Sequence, residues 1–281
     1  MRCAWQVLLN LLPLQLRQEV DRLGKDTLEE LRLRRGRPPE LVTQKGSLWL
    51  KEPVKQETLQ FVINTACRYS PWTATTAADG YITAQGGHRI GLCGEVTLQN
   101  GRMADVRSVT SLCIRVARDF PGVAKGIPLT GSFLIIGRPG SGKTTLLRDL
   151  IRCRSESGNG SVAVVDERGE LFPSVQGESC FPPGCRTDIL SGCPKRQGIT
   201  LLLRTMSPGT IAVDEITDIE DCNGLLKALW CGVDLLATAH AGSLQEFLKR
   251  PVYKPLVDSR IFSKVLVMQP DKSWREERIT I

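Results

Sequence analysis

A glycine-rich loop between an apolar run and a helical pattern constrains the fold of this chain most. Gly137, four further residues and then Gly142, Lys143 and Thr144 form a complete phosphate-loop (Walker A) pattern. Residues 133–136 before it are continuously apolar, and residues 145–151 after it repeat apolar side chains three and four apart. This order predicts a buried strand, a loop whose N–H groups point inward, and a helix N-terminus directed at a phosphate.

The loop residues predict how a nucleoside triphosphate would be held. Lys143 is expected to reach the β- and γ-phosphate oxygens, and the Thr144 hydroxyl is expected to ligate magnesium. The predicted cofactors are therefore ATP and Mg²⁺. The predicted nucleotide-binding residues are Gly137, Arg138, Pro139, Gly140, Ser141, Gly142, Lys143, Thr144 and Thr145.

The composition indicates a soluble protein with a sizeable core. With 281 residues, 41% hydrophobic and 24% charged, the chain has room for one large domain or two ordinary ones. The first apolar run contains Gln6 and Asn10 and lacks a small-residue cleavage site, so it does not match a signal peptide. We therefore expect a cytoplasmic protein.

The ten cysteines do not indicate disulfides, because no secretory signal accompanies them. Cys180, Cys185 and Cys193 share a Pro/Gly-rich stretch, but without a tight C-x-x-C pair the spacing does not favour structural zinc. Most of the others are expected to be small buried hydrophobes, namely Cys67, Cys93, Cys113, Cys153 and Cys231.

The formal charge of +7 permits an anionic partner but does not identify one. The densest basic cluster, residues 32–37, follows Leu31 and includes Leu33, which is typical of one exposed strand face. No aromatic residues alternate with these arginines, so stacking on single-stranded nucleic acid has little support.

A Gly/Pro-rich segment at residues 119–131 predicts a boundary between a domain at 1–120 and a domain at 121–281. The first should be a smaller α+β domain with turns at Gly86-Gly87, Gly46-Ser47 and Asn100-Gly101. Its expected helices cover residues 6–22 and 55–68, and its expected strands cover 30–34, 40–43, 48–50, 80–84, 89–98 and 111–116.

The second domain alternates strands with helices, which predicts a mainly parallel sheet of the RecA-like P-loop ATPase type. Its expected helices include residues 221–231. Its expected strands cover residues 133–136, 162–165, 210–213, 235–238 and 264–268.

Polar clusters follow three of these strands. Asp214 is expected to hold magnesium, and either Glu215 or Glu167 could deprotonate the attacking water. Because the carboxyl ends of parallel strands meet at one sheet edge, both glutamates should face the nucleotide crevice. His240 could sense the γ-phosphate, because a neutral imidazole can donate to a phosphate oxygen.

Lys143, Glu167, Asp214-Glu215 and His240, in this order, resemble the four motifs of the secretion ATPase superfamily of types II and IV systems. The Asp-Glu pair departs from the Gly-Glu commoner in those enzymes and is more like general AAA-type ATPases, which leaves the choice of base open. Residues 80–94, 111–118, 186–195 and 204–208 closely resemble the stage III sporulation protein AA family within that superfamily.

The resemblance implies a cytoplasmic, mother-cell ATPase of endospore formers, working beneath the membrane apparatus that links mother cell and forespore. It implies a homo-hexameric ring, membrane contact through membrane-embedded stage III sporulation proteins, and an arginine finger from a neighbouring subunit. The candidate fingers are Arg89, Arg115, Arg186 and Arg204. A nucleic-acid-dependent ATPase and a nucleotide-gated scaffold without hydrolysis are the alternatives.

Overall fold

A computed structural model describes residues 1–67, 80–99, 102–175, 177–262 and 264–279, with backbone alone at 99, 102–105 and 175. The chain forms two compact units. The first comprises Met1–Asp119 and Pro173–Phe181, and the second comprises Phe120–Phe172 and Pro182–Ile281. The sequence-based division has one cut near residue 120, whereas residues 173–181 join the first unit in the structure.

The first unit contains a six-stranded sheet in which every neighbouring pair is antiparallel. The strands are Leu28–Arg34 (β1), Glu40–Thr43 (β2), Gly46–Trp49 (β3), Tyr81–Thr83 (β4), Arg89–Gln99 (β5) and Arg102–Arg115 (β6). Their order in the sheet is β3-β2-β1-β6-β5-β4. A separate antiparallel pair consists of Ser174–Val175 (β9) and Glu178–Ser179 (β10).

One face of this sheet forms the core of the first unit. Leu31 and Leu33 are fully buried, whereas Arg32 and Arg34 between and beyond them are partly exposed, as the alternating sequence predicted. The buried leucines pack with the helices Trp5–Asn10 (α1), Leu14–Leu23 (α2) and Gln56–Cys67 (α3).

Two local predictions for this unit are wrong, and a third cannot be compared with the structure. The helix expected over residues 6–22 is two helices, because Pro13 lacks the N–H that a continuous helix needs. The turn expected at Gly46-Ser47 lies at residues 44–45. There the Thr43 hydroxyl donates to Gly46 O at 2.8 Å and accepts from Lys45 N–H at 3.2 Å. The turn expected at Asn100-Gly101 lies outside the described residues.

The expectation of buried cysteines is also wrong. Cys67, Cys93 and Cys231 are exposed, and Cys113 and Cys153 are half-buried. Cys231, for example, follows Trp230, which is 78% exposed, so local composition does not report the environment of the thiol. Within the described ranges, no group of three or more His, Cys, Asp or Glu side chains could hold a metal ion.

The second unit contains a seven-stranded sheet of order β11-β8-β12-β13-β7-β14-β15. All neighbours are parallel except β14 and β15. The strands are Phe133–Gly137 (β7), Val162–Asp166 (β8), Thr187–Ser191 (β11), Thr210–Ile216 (β12), Asp234–His240 (β13), Lys264–Met268 (β14) and Trp274–Arg278 (β15). The five predicted strands are present and β11 and β15 are additional.

Helices cover this sheet and enclose a large apolar core. They are Lys143–Glu156 (α4), Lys195–Thr205 (α5), Ile219–Trp230 (α6), Leu244–Lys249 (α7) and Lys254–Asp258 (α8). Strand β13 lies between β7, which precedes the phosphate loop, and β12, which carries the acidic pair. The carboxyl ends of β7, β13, β12 and β8 therefore share one edge.

In the first unit, His88 is fully buried and forms two hydrogen bonds. Its Nε2 donates to Ala4 O at 3.1 Å, because its Nδ1 accepts the Ala117 N–H at 3.1 Å. Burial lowers the pKa of His88 to about 4. The neutral ring therefore joins the N-terminal segment to the end of β6.

We expect His88 to make the unfolding free energy pH-dependent. Since the folded-state pKa is lowered, only the unfolded chain gains a proton as pH falls from about 6.5 to about 4. This contribution is complete above about pH 6.5 and is lost toward pH 4, by on the order of 3 kcal/mol.

The measurement is urea unfolding of the wild type and of His88→Gln between about pH 7 and pH 4. The glutamine amide can accept from Ala117 and donate to Ala4 but does not titrate. The wild type should lose stability relative to His88→Gln as the pH falls. Parallel pH curves for the two proteins would contradict this role.

Candidate nucleotide-binding and catalytic site

The phosphate loop connects β7 to α4 in the conformation that its glycines permit. Gly140 and Gly142 have φ angles of +74° and +96°, which side-chain-bearing residues rarely adopt. A Cβ at Gly137 would lie 2.5 Å from Ser141 Oγ and 2.8 Å from Met268 Cβ. The loop therefore needs glycine at these positions for backbone shape and for space.

The Lys143 ammonium is buried at the carboxyl ends of β7 and β13. Its Nζ donates to Gly137 O and Arg138 O at 3.0 Å each and lies 3.0 Å from His240 Nδ1. Burial lowers the pKa of Lys143, and the charges of Asp214 and Glu215 oppose this effect. The cation is thus held inside the loop by two carbonyl oxygens and one imidazole nitrogen.

The two predicted magnesium ligands are in direct contact. Thr144 Oγ1 donates to Asp214 Oδ2 at 2.8 Å, and Thr238 Oγ1 donates to Asp214 Oδ1 at 2.5 Å. A hydroxyl and a carboxylate are hard oxygen donors of the kind that Mg²⁺ prefers alongside water and phosphate oxygens. The residues present therefore fit this ion.

Glu215 lies next to this pair on a strained backbone, with φ of +56°. Its N–H donates to Thr238 Oγ1 at 2.7 Å, so Thr238 holds both residues of the acidic pair. Its carboxylate lies 3.0 Å from His240 Nε2 and accepts from Arg168 Nη1 at 3.0 Å.

His240 consequently lies between Lys143 and Glu215. An ammonium can only donate, so Nδ1 accepts from Lys143, and the other ring nitrogen is then free to donate to Glu215. The neutral tautomer with hydrogen on Nε2 satisfies both contacts. Lys143, His240, Glu215 and Arg168 form one hydrogen-bonded chain along the sheet edge.

Glu167 has different partners in the same pocket. Its Oε2 accepts from Lys195 Nζ at 2.5 Å, and this lysine also lies 3.5 Å from Asp221 Oδ2. The pocket is lined by Asp166, Glu167, Arg168, Glu170, Lys195, Asp214 and Glu215. The structure therefore brings both candidate bases together and distinguishes them by their hydrogen-bond partners.

Asp166 stabilises the turn after β8. Its carboxylate accepts the N–H groups of Glu170 at 2.9 Å and Phe172 at 2.8 Å. Burial raises the pKa of Asp166 to about 6, although the backbone hydrogen bonds from Phe172 and Leu171 act in the opposite direction. This arrangement positions the neighbouring Glu167 and Arg168.

The four candidate arginines occupy different environments. Arg89 and Arg115 pair across β5 and β6 in the first unit and line a cavity of about 190 Å³ with Tyr81. The Arg89 guanidinium lies 3.8 Å from the Tyr81 ring centre, and Arg115 Nε lies 3.4 Å from Glu30 Oε1.

The other two arginines belong to the second unit. Arg186 Nη1 donates to Gly158 O at 2.9 Å, and its backbone N–H donates to Ser155 Oγ at 2.8 Å. Arg204 lies exposed in the last turn of α5. Only Arg89 and Arg115 are brought together as a pair.

Sequence reasoning did not single out Arg168, Lys195 or Thr238. Arg168 directly follows the predicted acidic residue Glu167, and Thr238 shares the strand of His240, so a weak signal existed for both. Lys195 ends the family-like stretch 186–195, but the sequence does not indicate its partners, because they lie 28 and 26 positions away in the chain.

Comparison with known proteins identifies the family. A family model described as "Sporulation stage III, protein AA" matches residues 4–278. The chain belongs to this family. It is 37% identical over 258 residues to stage III sporulation protein AA of Bacillus subtilis. The matched region covers 87% of this chain and 83% of that protein.

Two solved structures share the fold. The ATPase DotB of Legionella pneumophila has a TM-score of 0.57 and 18% identity, covering 95% of this chain and 80% of that one. The pilus retraction motor PilT with bound ADP has a TM-score of 0.62 and 17% identity, covering 90% and 76%. These similarities confirm the predicted fold class, a RecA-like core preceded by a smaller α+β region.

We expect Gly142→Ala to weaken nucleotide binding by at least about tenfold, since a left-handed conformation costs an alanine about 1–2 kcal/mol and the loop would distort. The control is Gly122→Ala. Gly122 also has a positive φ, of +95°, but has no atoms near its Cβ position and lies outside the loop.

Both variants should lose similar stability, and only Gly142→Ala should lose affinity for a fluorescent ATP analogue. Equal affinities of the two variants would show that the loop does not bind the nucleotide.

Proposed function

We propose that this protein is a magnesium-dependent ATPase of the secretion-ATPase type. The observation that carries the proposal is the chain from Lys143 through His240 to Glu215, beside the Thr144–Asp214 contact. It combines, at one sheet edge, a phosphate-binding cation, a polar sensor, a carboxylate base and magnesium ligands.

Each residue has a definite part in hydrolysis. Lys143 binds the β- and γ-phosphate oxygens, and Thr144 and Asp214 would hold Mg²⁺. When bound, Mg²⁺ neutralises phosphate charge. Glu215 orients a water molecule and accepts its proton as the water oxygen attacks the γ-phosphorus and the bond to the ADP oxygen breaks. Once Lys143 binds phosphate, His240 can turn its one N–H, on Nε2, from Glu215 to a γ-phosphate oxygen.

The connection of Glu215 to Lys143 through His240 supports Glu215, rather than Glu167, as the base. His240 lies between Glu215 and the phosphate-binding lysine, with 3.0 Å contacts on both sides. Glu167 is instead engaged by the buried Lys195.

We propose a homo-hexameric ring in which Arg89 and Arg115 of one subunit stabilise the transition-state charge at a neighbouring site. Their pairing around one cavity supports them over Arg186, whose guanidinium is bonded to a backbone carbonyl, and over the isolated Arg204. Two guanidinium groups around one cavity suit a phosphate-bearing ligand.

Membership of the sporulation family supports a role in endospore formation. We propose that the protein works in the cytoplasm of the mother cell and powers or gates the channel apparatus between mother cell and forespore. Among the helices in the described ranges, none is long and apolar enough to span a bilayer. The proposed membrane contact runs through membrane-embedded stage III sporulation proteins.

Nucleic acid is not favoured as the activating ligand. On the exposed sheet face of the first unit, Arg32 pairs with Glu30 at 2.7 Å and Arg34 pairs with Glu40 at 2.7 Å. These carboxylates neutralise two of the four arginines in the basic cluster at residues 32–37 and so interrupt a continuous phosphate-binding stripe.

Replacing Lys143 with Ala should abolish ATP turnover without unfolding the protein, because the phosphate-binding cation is lost. Replacing Arg89 and Arg115 with Ala should also abolish turnover if these residues act between subunits. Mixing the two inactive proteins should then restore part of the activity. A neighbouring Lys143→Ala subunit would supply its arginines to the intact phosphate loop of the arginine variant.

The readout is phosphate release against protein concentration, with the mass in solution measured in parallel. Normal turnover by Lys143→Ala would contradict the ATPase proposal. Inactivity of the mixture despite confirmed mixed oligomers would contradict the proposed role of Arg89 and Arg115.

A further inference from the structure

Lys195 is a buried cation in an unfavourable position. It is 5% exposed and is the first residue of α5, where the positive end of the helix dipole disfavours a positive charge. A buried ammonium is costly unless charged or polar groups pair with it. The partners are Glu167 at 2.5 Å and Asp221 at 3.5 Å.

These partners connect Lys195 to the loop after β8, which carries Glu167, and to the loop after β12, the strand whose end carries Glu215. Glu167 directly follows β8. Asp221 Oδ2 also accepts from Thr217, through its N–H at 2.9 Å and its hydroxyl at 3.1 Å, and Thr217 lies two residues after Glu215. One ammonium thus joins the loop after β8 to the loop after β12.

Close packing fixes the helix that presents this ammonium. Gly198 follows Lys195 in the first turn of α5, and a Cβ at Gly198 would lie 2.6 Å from Val165 Cγ1 of β8. A Cβ at Gly224 of α6 would lie 3.1 Å from the Arg196 Cα. Gly198 thus lets the α5 backbone approach the Val165 side chain, and Gly224 lets α6 approach the α5 backbone. This packing leaves α5 little freedom to move away from β8 or α6.

The charges of the pocket explain why the link matters. Five carboxyl groups line it together with only two cations, Arg168 and Lys195. Arg168 pairs with Glu215, so Lys195 is the cation that pairs with Glu167. Without Lys195, a negative Glu167 would repel Glu215 across the pocket, and the two loops would lose their bridge.

We propose that Lys195 is a positioning residue for the reaction: by pairing with Glu167 it fixes the spacing of the loops after β8 and β12 and so holds Glu215 at the site of attack. This inference rests on the proposed ATPase function. Lys195 affects turnover through Glu167, whereas nucleotide binding depends on the phosphate loop.

The test is a double-mutant cycle with Lys195→Met, Glu167→Gln and the double variant. Lys195→Met should lower kcat by about 10- to 100-fold, since small misplacements of catalytic groups have effects of that size. The Kd for a fluorescent ATP analogue should change by less than about threefold. In the Glu167→Gln background the further loss should also be less than about threefold, because the partner is already gone.

Two variants separate positioning from stability. Lys195→Arg keeps the charge and should retain more kcat than Lys195→Met. Arg154→Met removes another buried cation of the same unit, which donates to Gly131 O at 2.7 Å away from the pocket. It should lower stability but leave kcat unchanged at temperatures where it is folded. If Lys195→Met does not fold, Lys195→Gln takes its place in the cycle.

An unchanged kcat in Lys195→Met, or an equal loss with and without Glu167, would overturn the positioning role while the ATPase proposal stands. A tenfold loss of nucleotide affinity would also overturn it, because Lys195 would then act in binding. A wild type that binds ATP but never hydrolyses it would overturn the proposed function and this inference together.

Discussion

The arrangement of the site depends on strand β13, which lies between the phosphate-loop strand β7 and the acidic strand β12. Thr238 on β13 donates to Asp214 and accepts from the Glu215 N–H. His240 at its end lies 3.0 Å from both Lys143 and Glu215. One strand therefore fixes the proposed metal ligand, the candidate base and the contact to the lysine proposed to bind phosphate.

This arrangement is a network in which every buried charge has partners. Lys143 is 6% exposed and Lys195 is 5% exposed, and each would be costly without its carbonyl, imidazole or carboxylate contacts. A bound nucleotide would offer Lys143 phosphate oxygens in place of two carbonyl oxygens and an imidazole. The same exchange would free His240 Nδ1, so nucleotide binding and the state of Glu215 are physically coupled through His240.

The local parts of this site are readable in the sequence. The phosphate loop has a fixed spacing, and the apolar runs before Asp166, Asp214 and His240 are long enough to mark buried parallel strands. Parallel pairing then requires their ends to meet. Strand β15 is not predicted by such a pattern because it is charged and pairs at an edge of the sheet. Strand β11 is not predicted because its residues are mostly polar and half-buried.

Contacts between distant positions cannot be read in this way. Nothing near Lys195 in the sequence indicates that Glu167 and Asp221 neutralise it, and nothing near residues 173–181 indicates that they join the first unit. The choice between Glu167 and Glu215 is of the same kind. It depends on which cation contacts each carboxylate, and that is set by the order of strands in the sheet.

The most direct test of this account is single-turnover ATP hydrolysis by Glu215→Gln and Glu167→Gln at saturating nucleotide. If Glu215 is the base, its variant should bind ATP normally and lose about 10²- to 10⁴-fold in the hydrolysis rate. Glu167→Gln should then lose far less. A greater loss in Glu167→Gln than in Glu215→Gln would contradict the account and assign the base to the strand end of β8.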